Sequence, residues 1–555
     1  MLTSDDPSIR APRVDRRWHT SRMTTTADAP AVDTVDARPA PAAPSAPAAP
    51  PAPAPVRQDP SSGRGSATPW LLALLVLVTG MFMSVLDVSI VNVAIPSMQK
   101  DFGVTTDEIQ WVSTAYSLAL GVIVPVSAWL GERLGLGRAY VVSLIGFGLG
   151  SALCGLAWDI NSMIAFRILQ AIPGGIIPVV ALSMVYKIVP REKIGAAMGL
   201  YGLGIVFAPA VGPTLGGYLV EYVDWRLIFF INVPIGIVGA IAAIVWLPMG
   251  TGVRGKRFDV LGFLTIAVGL FSLLLALSEG QSWGWTSYPV LILLTVGLLS
   301  LALFVVIELE VDEPLLDVRV FSYWAFTNSL LLIAVLSVGL FGVLFFIPLF
   351  LQQSQGLGAF DTGLLLLPQA VVMGILMPVA GRLYDKIGPR WPAVIGLTIL
   401  ALGTWMLRDL SIDTSWSELR WILVFRAAGM GLAMMPIMTG GISAVPPDRV
   451  SGASAFNNVA QRTTSAMGLA ALTALLSAQQ AQEAGDTGAA MRMAPHTPML
   501  QQYMSYSQVQ AHSFVTAIDD LMMVTAALTA VGVLLALRLR SGPAPKTSPG
   551  PAVME

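Results

Sequence analysis

Long apolar segments recur along this 555-residue chain, and they restrict its fold more than any other feature. A helix needs about 20 apolar residues to cross the hydrocarbon core of a bilayer. Only 12% of the residues are charged and 55% are hydrophobic, whereas a soluble chain has about 25% charged residues. We therefore predict an all-α polytopic membrane protein. Its fourteen predicted spans are 70–96, 109–130, 139–158, 161–186, 194–220, 226–248, 259–278, 288–309, 324–350, 361–381, 391–408, 419–440, 452–478 and 514–538.

The distribution of Lys and Arg predicts how these spans are oriented, because positive charge collects on the cytoplasmic side of membrane proteins. With the N-terminus inside, five such residues fall on the outer side: Lys100, Arg226, Arg408, Arg420 and Arg492. Fifteen fall on the inner side: Arg133, Arg138, Lys187, Arg191, Lys193, Arg254, Lys256, Arg257, Arg319, Arg382, Lys386, Arg390, Arg449, Arg538 and Arg540. We expect a multi-pass plasma (inner) membrane protein with an even number of spans and both termini in the cytoplasm.

The two ends of the chain differ from the membrane region. Residues 1–68 are rich in Pro and Ala and have no hydrophobic period, which predicts a disordered cytoplasmic tail. No apolar segment follows their charges directly, so they are not expected to be a secretory signal, and Met23 is an alternative start. Residues 541–555 are predicted to form a second disordered tail.

Several classes of function are disfavoured by what the sequence lacks. A net charge of −2 gives no overall basic field for nucleic acid. The sequence has no GxxxxGK[ST] or HExxH motif. The single cysteine, Cys154, and the scattered histidines, His19, His496 and His512, predict no metal site. We expect a protein that is not an enzyme, holds no cofactor and is driven by a proton gradient rather than by ATP.

Two pairs of similar segments indicate an internal repeat. AWLGERLGLGR (128–138) resembles AGRLYDKIGPR (380–390) at an offset of 252 residues, and FRILQAIPGGIIP (166–178) resembles FRAAGMGLAMMP (425–436) at an offset of 259. Parallel repeats are a transporter architecture with the binding site between the halves. The predicted parts are a six-helix bundle at 69–248, an inserted helix pair at 249–322 and a second six-helix bundle at 323–540.

These and other motifs resemble the fourteen-helix drug:proton antiporter family of the major facilitator superfamily. LDVSIVNVAIP (86–96) resembles its first-helix signature, and the repeated loops resemble its conserved loop after helix 2. The stretch from Arg167 to Gln170 resembles the fourth-helix signature. APAVGPTLGG (208–217) resembles the fifth-helix signature associated with exporters, and WRLIFFINVPIG (225–236) is also typical.

The match has small departures: Glu132 replaces the usual Asp and Ala128 the usual Gly of the first loop, and Ala171 stands where Gly is usual in the fourth helix. They affect details of gating rather than the fold. The resemblance implies a major facilitator fold of two six-helix bundles plus two inserted helices, in which helices 1 and 4 are neighbours that line the central cavity.

Asp87 and Arg167 are charged residues that the sequence places at similar depth. Asp87 lies about nine residues, roughly 14 Å, below the outer end of its helix, and Arg167 about six residues, roughly 9 Å, below the start of helix 4. We interpret Asp87 as the group that takes up a proton and Arg167 as the cation that senses its charge. The alternative is a fixed structural ion pair. Asn92 is a candidate either for substrate contact or for a helix–helix hydrogen bond.

The repeated loops and the fifth helix are candidate moving parts. Charged loop residues are predicted to form a cytoplasmic gate, the alternative being that they only set topology: Glu132, Arg133, Arg138, Asp385, Lys386 and Arg390. The Pro and Gly residues of helix 5 predict a kinked hinge or seal, the alternative being ordinary membrane Gly and Pro: Pro209, Gly212, Pro213, Gly216 and Gly217.

Six further residues are candidates for the cavity. Trp111 and Tyr116 are candidate substrate contacts by resemblance, with interface anchoring equally open for Trp111. Arg426 is the repeat counterpart of Arg167, and Arg462 falls in mid-helix and must face a cavity or a partner. Asp519 and Asp520 are either a second protonation or cation site or acids that begin the last helix near the interface.

The leading hypothesis for function is a proton-coupled exporter of hydrophobic or amphipathic compounds, a multidrug efflux protein of a prokaryote. A second hypothesis keeps the fold but exports an endogenous lipid or secondary metabolite, with a periplasmic accessory partner left open. A third is a membrane scaffold or sensor that transports nothing. The retained Asp87 and Arg167 argue against the third, because buried charges are expensive in a membrane.

Overall fold

The computed structural model describes residues 68–250, 252, 257–492 and 499–542. The predicted tails at 1–68 and 541–555 lie almost entirely outside these residues, as do Arg254 and Lys256. The described part contains sixteen α-helices: α1 (Thr68–Phe102), α2 (Thr106–Ile123), α3 (Val126–Leu134), α4 (Leu136–Gly155), α5 (Ile160–Ile188), α6 (Ile194–Tyr222), α7 (Leu227–Phe230), α8 (Asn232–Trp246), α9 (Val260–Trp283), α10 (Tyr288–Glu310), α11 (Trp324–Gln353), α12 (Ala359–Ile387), α13 (Arg390–Trp405), α14 (Trp416–Ile442), α15 (Val450–Arg492) and α16 (Met499–Ala536).

The all-helical membrane fold is confirmed. Twelve helical segments of the described residues are long and apolar enough to cross a membrane, with α7 and α8 together making one of them. A thirteenth arises if α2 and α3 form one span, since they meet at a 58° bend beside Pro125, which cannot donate a backbone hydrogen bond. The predicted span 452–478 is helical within α15 but too polar to qualify, so the number fourteen stays a prediction.

Helix packing groups the spans in the order in which the repeat predicts them. α1 packs on α5, α6 and α8, and α4 packs on α5 and α8. Later in the chain, α11 packs on α14, α15 and α16, and α13 packs on α14 and α16. We call α1–α8 the first half and α11–α16 the second half. Helices α9 and α10 pack on each other, and α9 also contacts α2 and α15. The exact domain bounds stay predictions.

The two halves meet mainly along α6 and α12, and α15 of the second half also packs against α3 and α5 of the first. We call the end of the helices that carries Arg133, Arg138, Lys187, Arg382 and Lys386 the basic end, and the other the opposite end. Arg226 and Asp101, paired at 2.9 Å, lie at the opposite end.

Both repeated loops turn at a glycine with left-handed backbone geometry. Gly135 has φ +86° and Gly388 has φ +82°, a region that side chains with a Cβ rarely adopt. Each glycine comes three residues after the acid of its loop, Glu132 or Asp385. The shared turn is therefore local physical support for the repeat.

Two local features determine where α5, the helix that carries Arg167, begins and how closely α4 packs on it. Asp159 caps its first turn, since the backbone N–H of Ser162 donates to the carboxylate at 2.7 Å. The same bond holds the pKa of the Asp159 carboxyl below its usual value. Further along, a Cβ on Gly150 of α4 would lie 2.8 Å from the Cα of Gln170, so only glycine lets α4 approach α5 this closely.

Candidate functional site

Asp87 and Arg167 form a buried ion pair, as their similar depth predicted. Nη1 of Arg167 lies 2.6 Å from Oδ2 of Asp87, and the two side chains are 1% and 0% exposed. The pair joins α1 to α5 within the first half. Removing one partner of such a pair typically costs about 3–5 kcal/mol, because a charge is left buried and uncompensated.

Two amides complete the surroundings of the Asp87 carboxylate. Nε2 of Gln170 donates to Oδ1 of Asp87 at 2.8 Å, and Nδ2 of Asn232 donates to the same oxygen at 3.0 Å. Nη1 of Arg167 also donates to Oε1 of Gln170 at 2.7 Å. The carboxylate thus accepts three hydrogen bonds from two other helices, α5 and α8, which stabilises its ionised form.

Asn232 bonds a second residue besides Asp87, and one of its polar atoms has no partner among the described residues. Its Nδ2 also donates to Oγ of Ser151 at 3.1 Å, and Ser151 donates in turn to the carbonyl of Phe229 at 2.9 Å. Its Oδ1 is buried and has no hydrogen-bond partner among the described residues. Sequence reasoning missed Asn232 as a site residue, although a polar side chain inside the apolar segment LIFFINVPIG was a usable signal. Gln170 was quoted only as part of the fourth-helix signature.

The guanidinium of Arg167 is held from its other side as well. Its Cζ lies 3.7 Å from the ring centroid of Tyr116 and 5.7 Å from that of Phe229, distances at which a cation is attracted to an aromatic face. Nε of Arg167 donates to the carbonyl of Val112 at 3.4 Å. Tyr116 is 1% exposed, and its hydroxyl has no hydrogen-bond partner in the described part of the chain.

Asn92 and Trp111 lie away from this cluster. Asn92 is exposed and accepts a hydrogen bond from Oγ of Ser113 at 3.1 Å, which joins α1 to α2. Trp111 is half-buried against a small cluster that includes Leu274 of the inserted helix α9. Asn92 therefore makes the helix–helix bond that was the alternative for it, and Trp111 contacts the inserted pair.

Asp385 joins the two halves at the basic end. Its Oδ1 accepts from the backbone N–H of Gly195 at 2.8 Å and its Oδ2 from that of Ala196 at 3.1 Å. These are orphan donors at the start of α6, so a carboxylate of α12 caps a helix of the other half. Of the other predicted gate residues, Arg390 donates to the carbonyl of Leu539 at 2.7 Å, within the second half.

The remaining gate residues lie close by at the basic end. Glu132 and Arg133 are in the last turn of α3, Arg138 is in the first turn of α4, and Lys386 is in the last turn of α12. Arg133, Arg138 and Lys386 are exposed and Glu132 is half-buried.

Two of the predicted Gly residues of α6, Gly212 and Gly216, pack against α1 rather than against the other half. The helix runs through Pro209 and Pro213 without a break. A Cβ on Gly212 would lie 2.5 Å from Oγ of Ser89, and one on Gly216 would lie 2.8 Å from Ile90, so these glycines fit α6 against α1. Gly217 faces open space.

Two other glycines of α6, Gly195 and Gly199, lie at the contact between the two halves. A Cβ on Gly195 would lie 2.1 Å from the carbonyl oxygen of Gly381, and one on Gly199 would lie 2.5 Å from that of Met377 on α12. The Gly195–Gly199 spacing is a small-xxx-small pattern that permits close helix packing. The sequence contained this signal, but the prediction used only the Pro and Gly residues further along α6, whose role as a hinge or seal stays a prediction.

The arginines of the second half have no acid beside them. Arg426, 2% exposed, donates through Nε to Oγ1 of Thr404 at 3.0 Å and through Nη2 to the carbonyl of Gly339. Arg462 lies in α15, whose contacts include α3 and α5 of the first half. Neither arginine has an ion pair within the described ranges.

The acids Asp519 and Asp520 tie the opposite end of α16 to its neighbours. Oδ1 of Asp519 accepts from the backbone N–H of Leu410 at 3.2 Å, and Oδ2 of Asp520 accepts from Nε2 of Gln479 at 2.5 Å. The helix begins at Met499, but its candidate membrane span begins at Phe514, five residues before Asp519. Both interpretations of these acids therefore stay predictions. No cluster of His, Cys, Asp or Glu in the described residues could hold a metal ion.

Fold and site together define a multi-pass transporter of the membrane rather than an enzyme. The chain belongs to the Major Facilitator Superfamily, whose family model matches residues 77–469. This confirms the family resemblance drawn from the sequence motifs.

Curated relatives of the chain carry transporter and resistance names. It is 38% identical to the uncharacterized MFS-type transporter YhcA of Bacillus subtilis, over 72% of this chain and 76% of that protein. It is 33% identical to the multidrug resistance protein Stp of Mycobacterium tuberculosis, over 74% and 76%. It is 31% identical to the tetracenomycin C resistance and export protein of Streptomyces glaucescens, over 76% and 79%.

Solved structures agree on the fold. The human organic anion transporter MFSD10 (TETRAN) matches with a TM-score of 0.57 at 11% identity, over 84% of this chain and 99% of that one. The proton:xylose symporter XylE matches with a TM-score of 0.55 at 13% identity, over 84% and 94%. At these identities the likeness concerns the fold alone.

Proposed function

We propose that this protein is a proton-coupled antiporter that exports hydrophobic and amphipathic compounds across a bacterial plasma membrane by alternating access. In this proposal the basic end is cytoplasmic, and both termini lie in the cytoplasm. The observation that carries it is the Asp87 carboxylate, 0% exposed in the middle of α1 and bonded to three donors. The resistance names of relatives support export as the direction of transport.

The bonds of Asp87 suggest how a proton would change the first half. The ionised carboxylate holds α1, α5 and α8 together through Arg167, Gln170 and Asn232. Protonation removes the charge that attracts Arg167 and turns one carboxylate oxygen into a donor. Asn232 can receive that donor if its amide rotates, because its own oxygen has no partner in the described structure. Proton uptake would therefore loosen α1 from α5 without leaving the new O–H unsatisfied.

A route of contacts joins this site to the basic end. Ser89, two residues beyond Asp87, donates to the carbonyl of Pro209 at 3.3 Å, and α6 packs on α1 through its glycines. The other end of α6 is capped by Asp385 of the second half. We propose that movement of α1 on protonation is transmitted along α6 and breaks this cap, which opens the basic end. The population of the open state then depends on the protonation of Asp87.

The test uses the purified protein in proteoliposomes with an acidic lumen, which drives uptake of an amphipathic dye added outside. Asp87→Asn keeps the shape of the side chain but cannot exchange a proton, so we expect proton-driven uptake to disappear. Asp101→Asn is the matched control on the same helix, because Asp101 is half-exposed at the opposite end, and we expect it to retain uptake. Uptake by Asp87→Asn that still follows the pH gradient would show that Asp87 does not couple transport to protons.

A second candidate is export of an endogenous secondary metabolite or lipid, favoured by the name of the Streptomyces relative. The two candidates differ in what a deletion strain loses. Multidrug efflux predicts greater susceptibility to unrelated toxic compounds, whereas the second candidate predicts a change in secreted metabolites or envelope lipids with little change in susceptibility.

A further inference from the structure

Two acids of the inserted helices face each other at the basic end. Asp259 caps the first turn of α9, where its Oδ1 accepts from the backbone N–H of Gly262 at 2.8 Å. Glu308 lies in the last turn of α10, and its Oε2 accepts from the backbone N–H of Leu316 at 3.3 Å. Each carboxyl group therefore uses one oxygen on a backbone donor and has a second oxygen left for another partner. We call Asp259 and Glu308 the acid pair.

The second oxygens of the acid pair converge beside Gly262. A Cβ built on this glycine would lie 2.3 Å from Oδ2 of Asp259 and 2.7 Å from Oε1 of Glu308. Both oxygens therefore lie within 2.7 Å of one point, which only a glycine leaves empty. Both are buried and have no hydrogen-bond partner in the described part of the chain. Glu308 as a whole is 0% exposed, so two unsatisfied carboxyl oxygens meet inside the protein.

The charged groups around the acid pair offer it no cation. Asp317, in the turn after α10, is paired through Oδ2 with Nη1 of Arg449 at 3.2 Å. Arg319 of the same turn is exposed and donates through Nη2 to a backbone carbonyl at 3.0 Å. On the helices themselves, Glu279 lies near the opposite end and Glu310 is exposed. Neither acid of the pair has an ion pair with a basic side chain among the described residues.

A single proton satisfies both acids of the pair. Two buried like charges at close range cannot both stay ionised without a large cost in free energy. A protonated carboxyl group is a donor as well as an acceptor, so one O–H between the two groups gives each unpartnered oxygen a hydrogen bond. A metal ion fits less well, because Ca²⁺ and Mg²⁺ take about six oxygen ligands. The described residues hold no group of three His, Cys, Asp or Glu that could bind one.

We propose that Asp259 and Glu308 share one proton at neutral pH, and that this proton joins the start of α9 to the end of α10. The site is separate from Asp87, which lies in the first half, and it does not depend on the proposed export function. It lies next to a contact with the first half, because Nε1 of Trp129 on α3 donates to the carbonyl of Arg257, just before α9, at 3.2 Å. Loss of the proton places two negative charges side by side and weakens the joint between the two helix ends.

The shared proton makes the stability of the protein depend on pH. Free Asp and Glu side chains ionise above about pH 4, so at neutral pH the unfolded chain has released a proton that the folded chain still holds. The ratio of folded to unfolded protein therefore falls as the pH rises, by about tenfold per pH unit for one proton. The fall ends at the pH where the folded pair releases its proton. Glu308→Gln should lack this contribution, because its amide donates to Asp259 without taking up a proton.

The direct test is infrared difference spectroscopy of the full chain in lipid nanodiscs between neutral and alkaline pH. A protonated carboxyl group has a carbonyl stretching band that a carboxylate lacks. We expect the intact protein to lose such a band as the pH rises, and Glu308→Gln to lack it already at neutral pH. Asp87→Asn should keep the band, which separates this proton from the one proposed for coupling. Glu310→Gln is the matched control and should also keep it, because Glu310 is exposed in the same turn of α10.

Thermal unfolding over the same pH range gives a second measurement. The midpoint of the intact protein should fall with rising pH relative to that of Glu308→Gln, whereas Glu310→Gln should follow the intact protein. Equal bands in the intact protein and Glu308→Gln, or midpoints that change in parallel, overturn the shared proton. Absence of any such band from Asp87→Asn at neutral pH overturns it without the Glu308 variant. A midpoint that depends on Na⁺ or Mg²⁺ in the intact protein but not in Glu308→Gln assigns the space to a cation and overturns it as well.

Discussion

Replacing Asp385 by Asn tests the gate at the basic end. The Asp385 carboxylate accepts from Gly195 at 2.8 Å and from Ala196 at 3.1 Å. An amide keeps one acceptor oxygen but presents an NH₂ group to the second backbone N–H, so one charge-assisted bond is lost and a donor faces a donor. A bond to a charged group contributes about 1.5–3 kcal/mol, and the lower part of this range applies because Asp385 is half-buried. The population of the state that is open at the basic end should rise by about tenfold or somewhat more.

The measurement is the alkylation rate of a cysteine placed at the contact between the two halves. Met377 is 0% exposed on α12, directly beside Gly199 of α6, so Met377→Cys is expected to react with a maleimide only when the halves separate. The one natural cysteine, Cys154, is buried and gives a low background. Lys386→Gln is the control, because Lys386 is exposed in the same helical turn. An alkylation rate that is the same in Asp385→Asn and in the control would refute the gate.

Two further predictions concern packing and charge. Arg167→Met should destabilise the protein by about 3–5 kcal/mol, because it leaves Asp87 buried and unpaired. Arg426→Met should change stability far less, because no acid depends on it. Thermal unfolding in detergent compares the two variants, and equal losses of stability would contradict the assignment of Asp87 and Arg167 as a buried ion pair. Gly381→Ala should open the basic end, because its Cβ would meet the backbone of α6 at 1.9 Å. Gly217→Ala should not, because Gly217 faces open space. The alkylation rate of Met377→Cys measures the opening in both variants.

Sequence reasoning reached the helices from apolar length alone. It reached the central ion pair because residue counting gave the depths and the family resemblance implied that helices 1 and 4 are neighbours. Apolar length predicts a span, and counting residues from a helix end places Asp87 and Arg167 at one depth. Asn232 was out of reach because its contact with Asp87 depends on how α8 packs on α1 and α4. The span predicted at 514–538 agrees with the candidate membrane span Phe514–Ala536, but α16 itself begins earlier, at Met499. The polar residues before Asp519 continue the helix beyond the apolar segment, so hydropathy alone does not show where it begins.

The contact between the two halves shows a second limit of prediction from sequence. The residues that close it, Gly195 and Gly199, are as visible in the sequence as Gly212 and Gly216. All four permit close packing, but they face different neighbours of α6. Composition shows that α6 packs tightly, and only the three-dimensional arrangement shows that Gly195 and Gly199 face α12 while Gly212 and Gly216 face α1.

The two halves retain an arginine at corresponding positions but differ in what it bonds. Counting back nine residues from Pro96 and from Pro348 reaches Asp87 in α1 and Gly339 in α11. Arg167 bonds the carboxylate of Asp87, and Arg426 bonds the backbone carbonyl of Gly339. The first half can therefore exchange a proton at this position, whereas the second half carries fixed positive charge. We therefore place the proposed proton-coupling site in the first half alone.

Proton-coupled export has a measurable electrical consequence that depends on the charge of the exported compound. If one proton enters the cell as one monovalent anion leaves, two charges cross the membrane potential in the favourable direction, which supplies about 4.6 kcal/mol at 100 mV, twice the value for one charge. Export of a monovalent cation against one proton would gain nothing from the potential. In proteoliposomes with a lumen-positive potential set by potassium and valinomycin, an exported anionic dye such as 1-anilinonaphthalene-8-sulfonate should accumulate beyond the limit of passive redistribution, roughly 2.3 kcal/mol at 100 mV, that protein-free liposomes show. Accumulation no greater than in those liposomes, with the pH gradient and the protein both intact, would show that anion export is not coupled to proton entry in this way.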